Sequence, residues 1–174
     1  MGKTKGTVVL AAVKVLRSRK AEATKLLPQS LHHYLKDRVV ISSWYPEEDL
    51  YGLVLAISQL LQVHNAFEMM GASVAREHAE GMYSDFLQRD GASRARIMWK
   101  TQHDSGEFTL IEETPKSATY ELREWPHASA NYCRVVGGYF TEVHRLAGAA
   151  APSYSHKVCR ANGADRCVYQ IRWD

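Results

Sequence analysis

The chain has 174 residues, of which 45% are apolar and 24% are charged, which suits one domain that buries a core. Its formal net charge is +3, and this small, scattered surplus argues against a nucleic-acid-binding protein. No apolar run approaches the ~18 residues of a membrane span, and no small-residue cleavage site of a secretion signal follows the N-terminus. We therefore expect one cytoplasmic domain over residues 1–174 whose three cysteines stay reduced.

Apolar periodicity predicts mostly helices in the first hundred residues. Residues 7–17 fit either a strand or a helix, and the spacing of Val9, Val13 and Leu16 favours the helix. The strongest helical pattern is the series Leu50, Leu53, Val54, Ile57, Leu60 and Leu61. The predicted order is helix over 7–17, helix over 21–35 with a break near Pro28, strand over 39–41, a helix start at 44–48, and helices over 50–61, 67–87 and 92–102.

The pattern changes to strands after residue 107. Residues 108–111 and 118–122 have the composition of two strands joined by a turn at Pro115-Lys116. Residues 129–147 return to helical periodicity, and the chain ends in a hairpin with arms 156–161 and 166–173 around Asn162-Gly163. Helices followed by strands, a helix and a hairpin predict an α+β fold with an antiparallel sheet.

The terminal hairpin carries a candidate metal site. Cys159 and Cys167 are symmetric about Gly163, and residues opposite each other on antiparallel strands have Cβ atoms ~4.5–5.5 Å apart. Two thiolates at that spacing can share a tetrahedral metal ion. Cys133 and His156 are the candidates to complete a Cys₃His set, which is typical of a closed, structural zinc site.

Other interpretations of these residues remain open at this point. Cys133 on an apolar helix face is equally a small core residue, and Cys159 and Cys167 could be inert strand residues or form a disulfide on oxidation. His156 lies three residues before Cys159, which in a regular strand places the two side chains on opposite faces. The histidine can reach the cysteines only if the strand bends or bulges there.

The C-terminal third resembles a known family. The segments 137–140 (Gly-Gly-Tyr-Phe), 146–148 (Leu-Ala-Gly) and 156–173 are similar to the 4-vinyl reductase domain, a small-molecule-binding family that ends in a hairpin of the form Cys-x₃-Gly-x₃-Cys-aromatic-x-aliphatic. In the N-terminal half, residues 5–7 (Lys-Gly-Thr) and 43–46 (Ser-Trp-Tyr-Pro) look like a large paralogous family of myxobacteria and their relatives that shares this C-terminal half.

The resemblance implies a fold shared with haem-nitric-oxide sensor domains and with vesicle-tethering subunits, in which helices pack on an antiparallel sheet and dimers are common. It also implies that zinc is held by Cys133, Cys159 and Cys167. His156 occupies the position where phenol-sensing members have a carboxylate ligand. The axial histidine of the haem sensors has no matching position, so the resemblance does not imply haem.

The resemblance further implies an internal pocket for an apolar or aromatic small molecule beside the zinc hairpin of residues 153–174. We expect it between the sheet and the helices over 50–61 and 67–87. Tyr154 would anchor the polar end of the ligand, and its apolar body would be enclosed by Phe67, Met70, Tyr83 and Trp99.

Together these features predict a non-catalytic, small-molecule-binding sensory or regulatory domain with a structural zinc. We expect a homodimer formed through the N-terminal segment 1–45, where Val8–Leu16 is apolar, and a signalling protein as a further partner. The alternatives are a protein-interaction scaffold with a filled core and a tetrapyrrole carrier or enzyme.

The acidic run 47–49 is explained by a helix start. The remaining histidines lack metal spacing and fit surface or satisfied helix positions: His32, His33, His64, His78, His103, His127 and His144.

Overall fold

The computed structural model describes residues 2–80 and 91–174. Over those residues the chain forms six α-helices, and the periodicity at 7–17, 50–61, 92–102 and 129–147 is confirmed. The segment predicted as helix over 21–35 is an α-helix followed by a 3₁₀ helix over Gln29–Leu35, with the break at Leu27-Pro28. The α-helices are α1 Gly6–Ser18, α2 Lys20–Leu26, α3 Glu47–Leu61, α4 Ala66–Glu80, α5 Gly91–Gln102 and α6 Ala130–Leu146.

The strands form two antiparallel sheets, as the sequence predicts for an α+β fold. The short strands β1 (Lys3–Lys5) and β2 (Trp44–Pro46) pair with each other. The main sheet has four strands in the order β3-β4-β6-β5. Their bounds are β3 Glu107–Thr114, β4 Ser117–Arg123, β5 Ser153–Val158 and β6 Cys167–Arg172. The terminal hairpin is therefore the β5–β6 pair, joined by a short 3₁₀ turn that ends at Gly163 with φ +90°.

Helix α6 lies at the centre of the core, between the main sheet and α4. Alternate residues of the strands point towards it, including Phe108, Tyr120 and Tyr169, which are fully buried. The ring of Phe140 on α6 stacks on Phe108 with the ring centroids 4.4 Å apart. Aromatic side chains therefore fill the layer between α6 and the sheet.

Helices α4 and α6 cross with their backbones in contact at two glycines. A Cβ atom on Gly71 would lie 1.9 Å from the Val135 carbonyl oxygen, and one on Gly138 would lie 2.3 Å from the Glu68 carbonyl oxygen. These distances are far below van der Waals contact, so only glycine permits this crossing. The crossing fixes α4 against the helix that also carries Cys133.

Two local predictions in the first half are wrong. Residues 39–41 do not form a strand, and Val40 and Ile41 are 42% and 49% exposed. The strand instead covers Trp44–Pro46, because β1 pairs there, with Thr4 opposite Tyr45. A β-branched run becomes a strand only where a partner strand lies beside it. Since residues 44–46 are extended, helix α3 begins at Glu47 rather than at Trp44.

Among the described residues no single helix is long and apolar enough to cross a membrane. Helices α3 and α4 meet such a criterion only when they are joined, and the chain bends by 112° between them.

The close crossing of α4 and α6 predicts that the stability of the fold is sensitive to any side chain at position 71. Gly71→Ala should destabilise the fold by about 1–3 kcal/mol or more, because the new methyl group meets backbone that cannot move aside. Gly52→Ala on α3 is the matched control: its methyl would meet the flexible Leu31 side chain, and alanine favours the helix by about 1 kcal/mol over glycine. Urea unfolding curves of both variants test this, and equal stabilities would contradict the role given to Gly71.

Candidate functional site

The terminal hairpin and helix α6 bring the four predicted metal ligands together. The β5–β6 register shifts between Ser155 and Val158, where β5 carries one residue more than β6. Such a bulge turns a side chain to the other face of the strand, and this irregularity places His156 on the same side as the cysteines. The ligand atoms of Cys133, His156, Cys159 and Cys167 all lie within 4.8 Å of one another.

The three sulfur atoms form the inner part of this cluster. The Cys133 Sγ atom is 3.7 Å from that of Cys159 and 3.9 Å from that of Cys167, and all three cysteines are free and buried. The backbone N–H of Arg160 donates to Cys167 Sγ at 3.3 Å. Donation from the Cys133 thiol lowers the pKa of Cys167 to about 4 against the effect of burial, with help from His156 and the Arg160 N–H. The same contact and burial raise the pKa of Cys133.

The chemistry of this donor set is that of a metal site. Three cysteine sulfurs with one imidazole nitrogen form a set that closed structural zinc sites use. The Nε2 atom of His156 is buried and has no hydrogen-bond partner among the described residues. Burying a polar atom without a hydrogen-bond partner costs free energy unless a bound ion or water satisfies that atom. The cluster can therefore hold a metal ion.

A second cluster is centred on the carboxylate of Glu47, which is 1% exposed. His103 Nδ1 donates to its Oε1 atom at 2.7 Å. Its Oε2 atom accepts from the indole N–H of Trp125 at 3.0 Å and from the hydroxyl of Tyr51 at 3.2 Å. With its Nδ1 proton directed at the carboxylate, His103 leaves Nε2 to accept from the Tyr132 hydroxyl at 3.4 Å.

The electrostatics of this second cluster favour hydrogen bonding over acid–base chemistry. Burial and then the Glu47 carboxylate raise the pKa values of both Tyr51 and Tyr132. Both phenols therefore stay protonated at neutral pH and act as donors. The indole ring of Trp99 stacks on His103 with the ring centroids 4.0 Å apart, which holds the imidazole in place.

Two small cavities adjoin the Glu47 cluster, and helices α1, α4 and α6 line both. Cavity one has a volume of about 60 Å³ and is lined by Val8, Gly71, Val74, His78, Met98, Trp99, Gln102, His103, Tyr132, Val135, Val136, Tyr139 and Phe140. Cavity two has about 70 Å³ and is lined by Val8, Ala11, Ala12, Val15, Leu50, Val54, Ile57, Met70, Ser73, Val74, Glu77, Tyr132 and Val135.

These cavities differ in place from the predicted pocket. They lie among the helices, and α6 separates them from the sheet, because aromatic rings occupy the space between α6 and the strands. Trp99 lines cavity one and Met70 lines cavity two, whereas Phe67 and Tyr154 line neither. Tyr83 lies outside the described residues.

Phe67 and Tyr154 belong instead to the contact between α4 and the hairpin. The Arg134 guanidinium lies 5.0 Å from the centre of the Phe67 ring and forms an ion pair with Glu68 at 2.8 Å. The Tyr154 hydroxyl donates to the same Glu68 carboxylate at 3.0 Å, and its ring covers Gly137, where any Cβ would overlap it. Both aromatic residues therefore have packing and positioning roles in this structure.

Sequence reasoning missed Glu47 and His103 as site residues, although their spacing carries a signal. Glu47 precedes Leu50, Val54 and Ile57 by three, seven and ten residues, which places it on the buried stripe of α3 rather than on the solvent side. The run 47–49 was interpreted only as the acidic start of a helix. Of its three carboxylates, that of Glu47 alone turns inward and is fully buried. His103 similarly follows Trp99 at a spacing of four.

Comparisons with known proteins define the fold. No family model and no curated protein matches the chain. An H-NOX protein from S. oneidensis in the Fe(II) ligation state superposes with a TM-score of 0.71 at 16% identity, over 98% of this chain and 96% of that chain. An Fe(II) unliganded H-NOX protein mutant from K. algicida gives 0.67 at 13% identity, over 98% and 96%. The likeness shows that the α+β architecture is related to that of H-NOX proteins.

The described residues of this chain do not fit a haem. Cavity one holds about 60 Å³, whereas cofactor and ligand pockets have ~300–1,000 Å³. Its described lining contains no lysine or arginine to pair with the two carboxylates of a haem. Both ring nitrogens of His103 are already engaged by Glu47 and Tyr132, and the Nδ1 atom of His78, the other histidine of this lining, is bonded to the Tyr139 hydroxyl at 3.0 Å.

The buried carboxylate predicts a large effect on stability. Glu47→Ala should lower the free energy of unfolding by about 3 kcal/mol or more, because the Trp125 indole N–H and His103 lose a buried acceptor and a cavity opens. Glu48→Ala is the matched control, since Glu48 is the next residue of the same helix and is exposed. Thermal unfolding of both variants measures the difference, and a mild effect of Glu47→Ala would refute this assignment.

Proposed function

We propose that this chain is a non-catalytic, small-molecule-binding sensory or regulatory domain that carries a structural zinc ion. The observation that carries the proposal is the pair of apolar cavities adjoining the buried Glu47–His103–Tyr132 cluster. Apolar walls with a few fixed polar groups are the usual composition of a small-molecule site. The fold adds support, since H-NOX proteins of this architecture are described in NO-bound and CO-bound Fe(II) states.

The size of the cavities limits the ligand class. The side chains of Val8, Val74, Tyr132 and Val135 line both cavities and therefore form the wall between them. If these side chains shift, the joint volume approaches the ~150 Å³ of an apolar protein cavity that binds benzene. We therefore propose a single-ring aromatic or similarly small apolar ligand, whose polar group, where it has one, would face the Tyr132 hydroxyl, since that oxygen can still accept a hydrogen bond.

The zinc proposal rests on the Cys₃His cluster and on the likeness of the terminal hairpin to that of the 4-vinyl reductase domain. Four protein ligands leave no open position for a substrate, which supports a structural role. Cys159 and Cys167 flank the turn of the hairpin, and Cys133 belongs to α6. A bound ion would therefore join the last two strands to the central helix.

A protein-interaction scaffold is the second candidate, because both cavities are far smaller than a drug-sized pocket. The tetrapyrrole carrier or enzyme receives no support from the described residues, since they do not fit a haem. The homodimer through residues 1–45, the signalling partner and the cytoplasmic location stay predictions. Val9, Val13 and Leu16 are buried in the core of this chain, so a dimer through α1 would use its remaining apolar residues, such as Val15.

The metal proposal predicts about one zinc ion per chain. Cys159→Ser should lose the ion and unfold at a lower temperature, because a structural metal contributes its binding free energy to folding. Ser155→Ala is the control in the same hairpin and should keep the zinc, since Ser155 is outside the ligand set. Elemental analysis and native mass spectrometry measure the content. Wild-type protein with well below one zinc and unchanged stability would disprove the metal site.

The ligand proposal predicts stabilisation by benzene or toluene in a thermal-shift assay. A ligand at a hundred times its Kd raises the free energy of unfolding by ~2.7 kcal/mol. Val74→Phe should abolish the shift because the larger ring fills the wall between the cavities, whereas Val63→Phe at a 45% exposed site should leave it intact. Haem should not bind with 1:1 stoichiometry. If no small aromatic shifts the wild-type protein, the scaffold becomes the better proposal.

A further inference from the structure

Tyr169 carries a buried hydroxyl that makes no well-formed hydrogen bond to the described residues. The residue is fully buried, and its hydroxyl oxygen has no hydrogen-bond partner among the described residues. Buried tyrosine hydroxyls usually find a partner, because an unpaired polar group costs free energy. Tyr169 follows Cys167 by two residues on β6, so both side chains lie on the inner face of the sheet.

The ring of Tyr169 also supports His156. The two rings are parallel to within 3°, and their centroids are 4.3 Å apart. The Nε2 atom of His156 is a second buried atom with no partner among the described residues. Two unsatisfied polar groups therefore lie in stacked rings beside the three sulfur atoms, which places both at the candidate metal centre.

The Cys133 sulfur lies beside this hydroxyl as a side-chain hydrogen-bond partner, although no well-formed hydrogen bond joins them. A tyrosine hydroxyl can donate one hydrogen bond. A thiolate accepts such a hydrogen bond much better than a thiol, and metal binding converts thiols to thiolates.

We infer that Tyr169 is a positioning residue of the metal centre, whose hydroxyl donates to the Cys133 sulfur when that sulfur is a thiolate and whose ring holds the His156 imidazole. The inference rests on the proposed metal site and adds a residue outside its ligand set. Partners of this kind orient metal ligands, and their loss typically weakens metal binding 10–100-fold.

The test compares Tyr169→Phe with Tyr120→Phe in the full chain. Tyr120 lies opposite Tyr169 on β4 and is also fully buried, but its hydroxyl is bonded to His144 Nε2 at 2.9 Å. Zn²⁺ affinity is measured against a competing chelator, and the sulfur-to-metal absorption bands are recorded with Co²⁺. Tyr169→Phe should bind Zn²⁺ at least tenfold more weakly and shift these bands, whereas Tyr120→Phe should leave both unchanged.

The stability of Tyr169→Phe, measured without and with metal, is a second test. A residue with a purely structural role would not change the order of stability when metal is added. Without metal, Tyr169→Phe should be as stable as the wild type or more so, because the phenylalanine removes an unsatisfied hydroxyl. With metal, the same variant should be the less stable protein. Wild-type affinity and an unchanged Co²⁺ spectrum in Tyr169→Phe would overturn the inference about Tyr169. A wild-type chain that binds no metal would instead overturn the proposed zinc site.

Discussion

The buried carboxylate of Glu47 is the constraint on which much of this structure depends. A carboxylate removed from water requires several hydrogen bonds, and here they come from separate parts of the chain. Its acceptor atoms meet His103 after α5, Trp125 after β4 and Tyr51 on α3, while its own N–H donates to the Gly2 carbonyl oxygen at 3.0 Å. The carboxylate therefore holds the α5 terminus and the chain after β4, and the backbone N–H of the same residue holds the chain before the first strand, so these three parts cannot shift independently.

The same network connects the two candidate sites. The Arg160 guanidinium, next to Cys159, donates to the Trp125 carbonyl oxygen at 2.8 Å, and the Trp125 indole donates to Glu47. On the other side, Tyr154 of the hairpin and Arg134 of α6 share the Glu68 carboxylate on α4, the helix that lines both cavities. The hairpin is thus connected to the Glu47 cluster through Trp125 and to α4 through Glu68.

Helix positions and the pairing of Cys159 with Cys167 could be predicted because each depends on local spacing. The apolar stripe of α3 and the symmetry of the two cysteines about Gly163 are visible in one sequence. Cys133 lies 26 residues before Cys159, so its place beside them was supported by the family resemblance, and the bulge at His156 needed coordinates. Contacts between distant segments could not be predicted in this way. The strand at 44–46 exists because β1 pairs with it, and the inward turn of Glu47 is explained by His103 and Trp125, which lie 56 and 78 residues further on.

The fold of this chain is related to that of H-NOX proteins, but its described interior does not fit a haem. In the described residues, the rings of Trp99, Phe108 and Phe140 succeed one another with centroid distances of 5.6 and 4.4 Å, and they fill the space between α5, α6 and the sheet. These large side chains occupy the space beside α6 in the described part of the chain, and the two cavities next to the Glu47 cluster have volumes of only about 60 and 70 Å³. Function belongs to the site rather than to the fold. In cavity one, two histidines and two phenols lie among apolar side chains, and the volume of about 60 Å³ is far below that of a cofactor pocket.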